Sequence, residues 1–266
     1  MTTPDENLSV ILSRDELSFL LFLLKATFIP GLDPDPMGEP TPEQQKRNLA
    51  QAERALRARD LAKVDESGNV VVREKLLLMT GICAYPELTI TLHQFPSQGQ
   101  PKRVFWHVRS GVIVMHTRPE PPLHGLEFLP GRDNLHAHIL TSCLVTEKTT
   151  VPLAPIQATN ALIKDVRESA PKDVEKAIQT LTSQGATLES AQEISRVLAG
   201  EYTVSALHLA AKQENDGLRE AMTILTGSSS VWLMKGIEDD RVSLETVDQP
   251  SLLEILQPWT GLVTWL

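Results

Sequence analysis

The stretch Lys102–Leu140, KRVFWHVRSGVIVMHTRPEPPLHGLEFLPGRDNLHAHIL, carries the reading of the whole chain. Alternating apolar residues predict strands over 103–109 and 112–118, joined at Ser110-Gly111, and a short third strand over 125–129. A helix over Asp133–Cys143 then presents Leu135, Ile139 and Leu140 inward. The same order returns near the C-terminus, with strands over Arg219–Thr226, Val231–Lys235 and Arg241–Val247 and a Leu-rich helix from Pro250. Leu126-Glu127-Phe128-Leu129 leads to Leu135, Ile139 and Leu140 as Leu244-Glu245-Thr246-Val247 leads to Leu252, Ile255 and Leu256. The expectation is one α+β domain over 1–266, pseudo-two-fold, built from similar halves at 7–145 and 147–262. A central, mostly antiparallel sheet would be flanked by helical bundles.

Working outward, Leu8, Val10 and Leu12 alternate as a strand, and Ser13 with Glu16 has the spacing of a capping box. The helix that follows is expected to reach about Thr27 and to end at Pro30-Gly31. It is apolar on nearly every face, so it should lie buried between layers. Asp33–Pro42 reads as an extended, mobile Pro-rich linker. Thr41-Pro42 opens a second helix with Leu49, Ala52 and Leu56 on its inner face. A helix over Lys75–Ala84 precedes a strand with Leu88, Ile90 and Leu92, which forms a hairpin with the next strand around the polar tip Pro96–Pro101. The second half restarts with Val151 and Leu153 as a strand and Pro155 opening a helix that carries Ile156, Leu162 and Ile163. Helices from Pro171 to Gly185 and around Ala191–Leu198, closed by Gly200, lead into a strand over Tyr202–Ala211.

The 266 residues are ample for a real core, and 41% hydrophobic with 22% charged content is ordinary for a globular chain. Lys and Arg number 25 against 34 Asp and Glu, a net charge of −9 that argues against nucleic acid as a partner. The apolar run Phe19–Leu24 is too short to span a bilayer, which needs about 20 residues. Asp5, Glu6, Asp15 and Glu16 precede or open it, unlike the basic start of a signal peptide. Cys83 and Cys143 read as buried thiols rather than a disulfide, which suits a cytoplasmic setting without membrane insertion.

Candidate chemistry is sparse. His107, His116, His124, His136 and His138 suggest a metal-dependent enzyme, but His136 and His138 on a helix would point about 200° apart. No Gly-x-Ser-x-Gly elbow or Gly-rich phosphate loop occurs, and Gly227–Ser230 reads as a turn. Glu238-Asp239-Asp240 reads as a solvated hairpin tip, and Trp259 and Trp265 as a tail that docks back. Gln44–Val72 has the order of a winged-helix fragment, with Arg54, Arg57 and Arg59 as candidate phosphate contacts. Glu53 interleaves with them, so a solvated face is preferred. No cofactor or metal is expected, and no catalytic set.

Leu8–Leu17 resembles the strand-then-Glu-Leu opening of the EspG family, cytosolic chaperones of mycobacterial ESX (type VII) secretion. Pro30-Gly31-Leu32 stands where that family leaves its first helix, and Ala52–Leu61 resembles its Ala/Leu-Arg-rich helix, with Asp60 in place of the usual Gly. Leu181, Gln184-Gly185 and Ala191, then Val231-Trp232-Leu233, are similar to its second half. The resemblance implies a non-enzymatic protein that binds a helical secreted client, PE/PPE-like in the family, and keeps it soluble. The exposed hairpin tip makes Ser97, Gln98, Gly99, Gln100 and Lys102, with the adjoining strand faces, the expected client contacts.

Overall fold

The computed structural model describes residues 9–34, 38–145, 152–212, 217–238 and 240–262. In the first half, β1 (Ser9–Leu12), α1 (Arg14–Leu23) and α2 (Pro42–Ala58) precede a small hairpin of β2 (Ala62–Val64) and β3 (Val70–Val72). Then come α3 (Glu74–Ala84), β4 (Leu88–Pro96), β5 (Lys102–Arg109), β6 (Val112–Thr117), β7 (His124–Leu129) and α4 (Gly131–Ser142). The second half runs β8 (Ile156–Thr159), α5 (Asn160–Ser169), α6 (Val174–Ser183), α7 (Leu188–Ala199), β9 (Thr203–Ala211), β10 (Leu218–Thr226), β11 (Val231–Glu238), β12 (Arg241–Thr246) and α8 (Gln249–Thr260).

Ten strands form one antiparallel sheet in the order β1-β7-β6-β5-β4-β9-β10-β11-β12-β8. The order reads the same from either edge once β1 is matched with β8 and β4 with β9, so the class is α+β and pseudo-two-fold, as expected from the sequence. Leu92 opposes Leu207 at the middle of the central β4–β9 ladder. Glu127 opposes Met115 in the first half and Glu245 opposes Leu233 in the second, so the repeat seen in the sequence is also a repeat of register. The β2–β3 hairpin breaks the symmetry, because α6 and α7 are joined only by a tight turn at Gly185.

Strand alternation gives the sheet two different faces. Leu88, Ile90, Leu92, Trp106, Leu207, Leu209 and Leu233 bury themselves under α4 and α8, with Leu135, Ile139, Leu252, Leu256 and Trp259. On the other face, α1–α3 cover Val10, Leu12, Val114 and Leu126, while α5–α7 cover Ile156, Ala158, Trp232, Val242 and Leu244. No helix among the described residues is long and apolar enough to cross a membrane.

Local chemistry explains the helix ends and corrects the sequence reading. The Ser13 hydroxyl accepts from the Glu16 amide, and Glu16 accepts from the Ser13 amide at 2.8 Å. However, α1 stops at Leu23 rather than Thr27. Lys25, with φ 54°, turns left-handed and donates to the Phe22 carbonyl, while Ala26 donates to Leu21. This is a Schellman stop without glycine, so no glycine marks it in the sequence. Nor is α1 buried all round: Phe22 is 59% exposed, because α2 and α3 cover only one side. The expected Val151/Leu153 strand moves to Ile156–Thr159, where Ile156 pairs with Leu244 and Thr159 caps α5. Leu153 lies outside the ladder, its amide on the Thr246 hydroxyl, and Val151 lies outside the described residues. Asp173, not Pro171, caps α6. The linker's first residue, Asp33, is held by Arg103 and Arg118 instead of running free, and Arg14 binds its carbonyl at 2.8 Å.

Candidate protein-binding face

Among the described residues, the two helical layers stand over the outer strands and leave the centre of their face bare. Register places Thr91, His93 and Phe95 of β4 there beside Ala206, His208 and Ala210 of β9. Arg103 and Phe105 of β5 and Arg219, Ala221 and Thr223 of β10 continue the row on either side. His208, Ala210, Arg219 and Ala221 are exposed, and Thr91, His93, Ala206 and Thr223 are half-buried. The floor is therefore shallow and made of small side chains, and Phe95, 48% exposed, rises from it. The apolar side chains of a partner can pack against Phe95 and this floor.

His93 is the hub. Its ring stacks on Phe95 with centroids 6.5 Å apart and meets His208 edge-on at 5.8 Å. Burial, then the charges of Arg103 and His208, lower the His93 pKa and hold it neutral. At one end of the face a cavity of about 420 Å³ is lined by Pro30, Thr89, Thr91, Ala210 and Arg219.

Beside this face lies a buried row of rings on β5, β6 and β7. His107 and His116 both stack on Phe105, and His116 Nε2 lies 2.9 Å from His124 Nδ1. Pro30-Gly31 crosses above. A Cβ on Gly31 would come within 2.6 Å of Phe105 and 2.8 Å of His116, and its φ of +93° suits glycine. Burial drives the His107 pKa down to about 3 and the His116 pKa well below its usual range. His124 falls to about 4 through burial, then Arg118 and Arg14, with Asp33 opposing. The three rings are thus neutral packing groups near neutral pH, and His107 Nδ1 is 3.2 Å from the Thr89 hydroxyl.

The sequence-predicted contacts separate in space. Ser97 and Gln98 line a different cavity of about 360 Å³ with Tyr202 and Ser228–Ser230, at the end of the central strands. Ser97 is fixed there, its amide donating to the Tyr202 carbonyl at 2.7 Å and its hydroxyl accepting from the Tyr202 amide at 3.0 Å. Gly99, with φ 104°, and Gln100 form the exposed tip. Lys102 pairs with Gln94 on the α4–α8 side, away from the bare face. Phe95 and Arg103, which flank this loop, and the mates His93 and His208 were not singled out by motif. The available signal was period-two alternation, which sets Phe95 opposite in phase to Leu88, Ile90 and Leu92.

The other sequence alternatives also acquire positions. His136 is buried on α4, its Nε2 2.8 Å from the Thr260 hydroxyl, and among the described residues no group of three or more His, Cys, Asp or Glu could hold a metal. Cys83 and Cys143 are free and buried, and burial raises both thiol pKa values, that of Cys143 to about 12. Over Gln44–Val72, the segment with a winged-helix order, α2 is followed by the β2–β3 hairpin, and its three candidate arginines are committed within the chain. Arg54 binds the Ala50 carbonyl, Arg57 pairs with Glu53, and Arg59 binds Glu16 and the Ile11 carbonyl. Trp259 is buried against the sheet, whereas Trp265 and Asp239 lie outside the described residues.

No protein-family model matches the chain, and no curated protein does. Among solved structures, the Mycobacterium tuberculosis type VII secretion system chaperone EspG5, in complex with the PE25-PPE41 dimer, superimposes with a TM-score of 0.68. Sequence identity is 10%, and the match covers 97% of this chain and 98% of that one. Over nearly its whole length, then, this chain is similar in fold to the EspG5 chaperone.

Proposed function

We propose that this chain is a non-enzymatic, cytoplasmic chaperone that binds a helical type VII secretion substrate, PE/PPE-like, and keeps it soluble. The observation that supports this most is the bare central face with Phe95, left open between two helical layers in a fold similar to that of EspG5. A helical tip fits such a face physically: its apolar side chains gain contact with Phe95 and the small floor while the helical layers act as walls. In the same reading, Ser97, Gln98, Gly99, Gln100 and Lys102 contact the client from the adjoining loop, and shortening that loop weakens capture. Unchanged affinity after shortening removes the loop from the reading.

The test of the function is purification of the tagged chain from its native cell at low and moderate salt. The expected result is a small helix-rich secreted protein in stoichiometric amount, which becomes insoluble when expressed without this chain. Recovery of the chain alone, with DNA or with bound metal overturns the proposal.

A further inference from the structure

We infer that the bare central face selects a client segment whose apolar tip is flanked by carboxylates, an inference that rests on the chaperone reading of that face. The observation is the sorting of charge between the two faces of the central strands. On the side of the sheet that carries the bare face, β4, β5, β9 and β10 place Arg103, Arg109, Arg219 and the imidazoles of His93, His107 and His208, and no Asp or Glu. Glu127, Glu220 and Glu245, carboxylates of β7, β10 and β12, all alternate onto the α4–α8 side. This happens in a chain whose acidic residues exceed its basic ones by the nine charges of its net −9.

These groups differ in what they can still do. Arg109 is turned to the Tyr85 carbonyl, His107 is fully buried, and Arg103 already shares Asp33 with Arg118. Arg219 stands exposed beside Ala210 and, among the described residues, makes no ion pair. It lines the cavity formed with Pro30, Glu87, Thr89, Thr91, Ala210 and Lys212, so a carboxylate placed there would meet two cations, Arg219 and Lys212, beside the one carboxylate of Glu87. Covering the floor removes water from such an ion pair, which strengthens the attraction and penalises a cationic partner. His93 and His208 add ring N–H donors in the middle of the same surface. The Glu87 carboxylate of that cavity accepts from the Ser110 amide at 3.0 Å and is occupied there.

The test uses the full chain and two synthetic amphipathic helical peptides with the same Leu/Phe stripe, one flanked by Glu and the other by Lys. Global charge favours the Lys peptide, so a local preference for Glu must overcome it. Fluorescence anisotropy is expected to show the Glu peptide binding about tenfold tighter or more. The margin narrows as salt is raised. Arg219→Glu abolishes the preference without shifting the thermal midpoint, and Ala221→Asp, which leaves every arginine in place, weakens the Glu peptide selectively. Equal binding of the two peptides, or a Glu preference that survives in Arg219→Glu, overturns the inference. Retention of a native client by Arg219→Glu at wild-type affinity sinks this inference alone. Failure of the wild-type chain to capture any client sinks the chaperone reading itself.

Discussion

His93 and His208 meet edge to face, with ring centroids 5.8 Å apart, across the axis that relates the two halves of the molecule. Each follows by one residue the pair Leu92–Leu207 at the centre of the β4–β9 ladder. The two rings therefore close the seam between the halves on the bare face, just as the two leucines close it in the core beneath α4 and α8. The seam is where the proposed client-binding face lies.

That placement makes Phe95 separable from stability. Its ring is 48% exposed and stacks on one side only, against His93. Phe95→Ala is expected to change folding stability by about 1 kcal/mol or less, as for an exposed position. In client capture it should cost about 2 kcal/mol, as for an aromatic anchor at the centre of an interface. Isothermal titration against the purified client, beside a thermal melt, checks both. A variant that melts early and binds normally contradicts the assignment.

The ring row beneath Pro30-Gly31 makes the fold sensitive to acid. His107, His116 and His124 have folded pKa values held below the usual 6.5, first by burial. Neutral rings are favoured in the fold, so their contribution is fully present above about pH 6.5 and is lost as pH falls toward the folded values of about 4 and 3. Each such ring can cost up to ~1.4 kcal/mol per pH unit below the unfolded pKa. Urea midpoints should stay level from pH 7.5 to about 6.5 and fall from there to pH 4.5, and His107→Phe should flatten that slope. A midpoint independent of pH rules this out.

Gly31 is required by contact as well as by conformation. Its φ of +93° disfavours any L side chain, and a Cβ would press on the Phe105 and His116 rings at 2.6 and 2.8 Å. Gly31→Ala is expected to destabilise by about 2–4 kcal/mol, the sum of strain and overpacking. Denaturant unfolding measures it directly, and a loss below the error of the method would contradict the close packing.

Asp60 shows the opposite case. It ends α2 in the left-handed region with φ 55°, donating to the Arg57 carbonyl, while Leu61 donates to Leu56. Asp60→Gly should leave stability unchanged or raise it by about 0.5–1 kcal/mol, since relief of αL strain outweighs the added freedom of the unfolded chain. A clear loss would show that the Asp60 side chain contributes something more.

The two thiols give a simple probe of global opening. Burial raises both, that of Cys143 to about 12, so little reactive thiolate forms. An alkylating reagent at pH 8 should label neither in the folded chain and both in denaturant. Fast labelling under native conditions would contradict their burial.

By itself, the sequence determined the sheet's repeat, because strands with one buried face must alternate and Leu126–Leu129 and Leu244–Val247 do so in the same phase. It determined the capped helix starts at Ser13 and Thr41, since a hydroxyl and a side chain three residues on satisfy local amides wherever the chain goes next. It did not determine the stops at Lys25, Asp60 and Leu144, where residues other than glycine take a positive φ and the chain closes on carbonyls of the last helical turn. Nor could it say which stretch of the upstream segment becomes β8, because only pairing with β12 selects Ile156–Thr159. Ser97 and Lys102 looked equivalent along one loop, but Ser97 is tied to Tyr202 while Lys102 lies in the β5 ladder opposite Gln94. The bare face was hidden for the same reason. His93 and His208 are far apart in the chain, and only the antiparallel meeting of β4 with β9 brings them together where no helix of the described residues covers them.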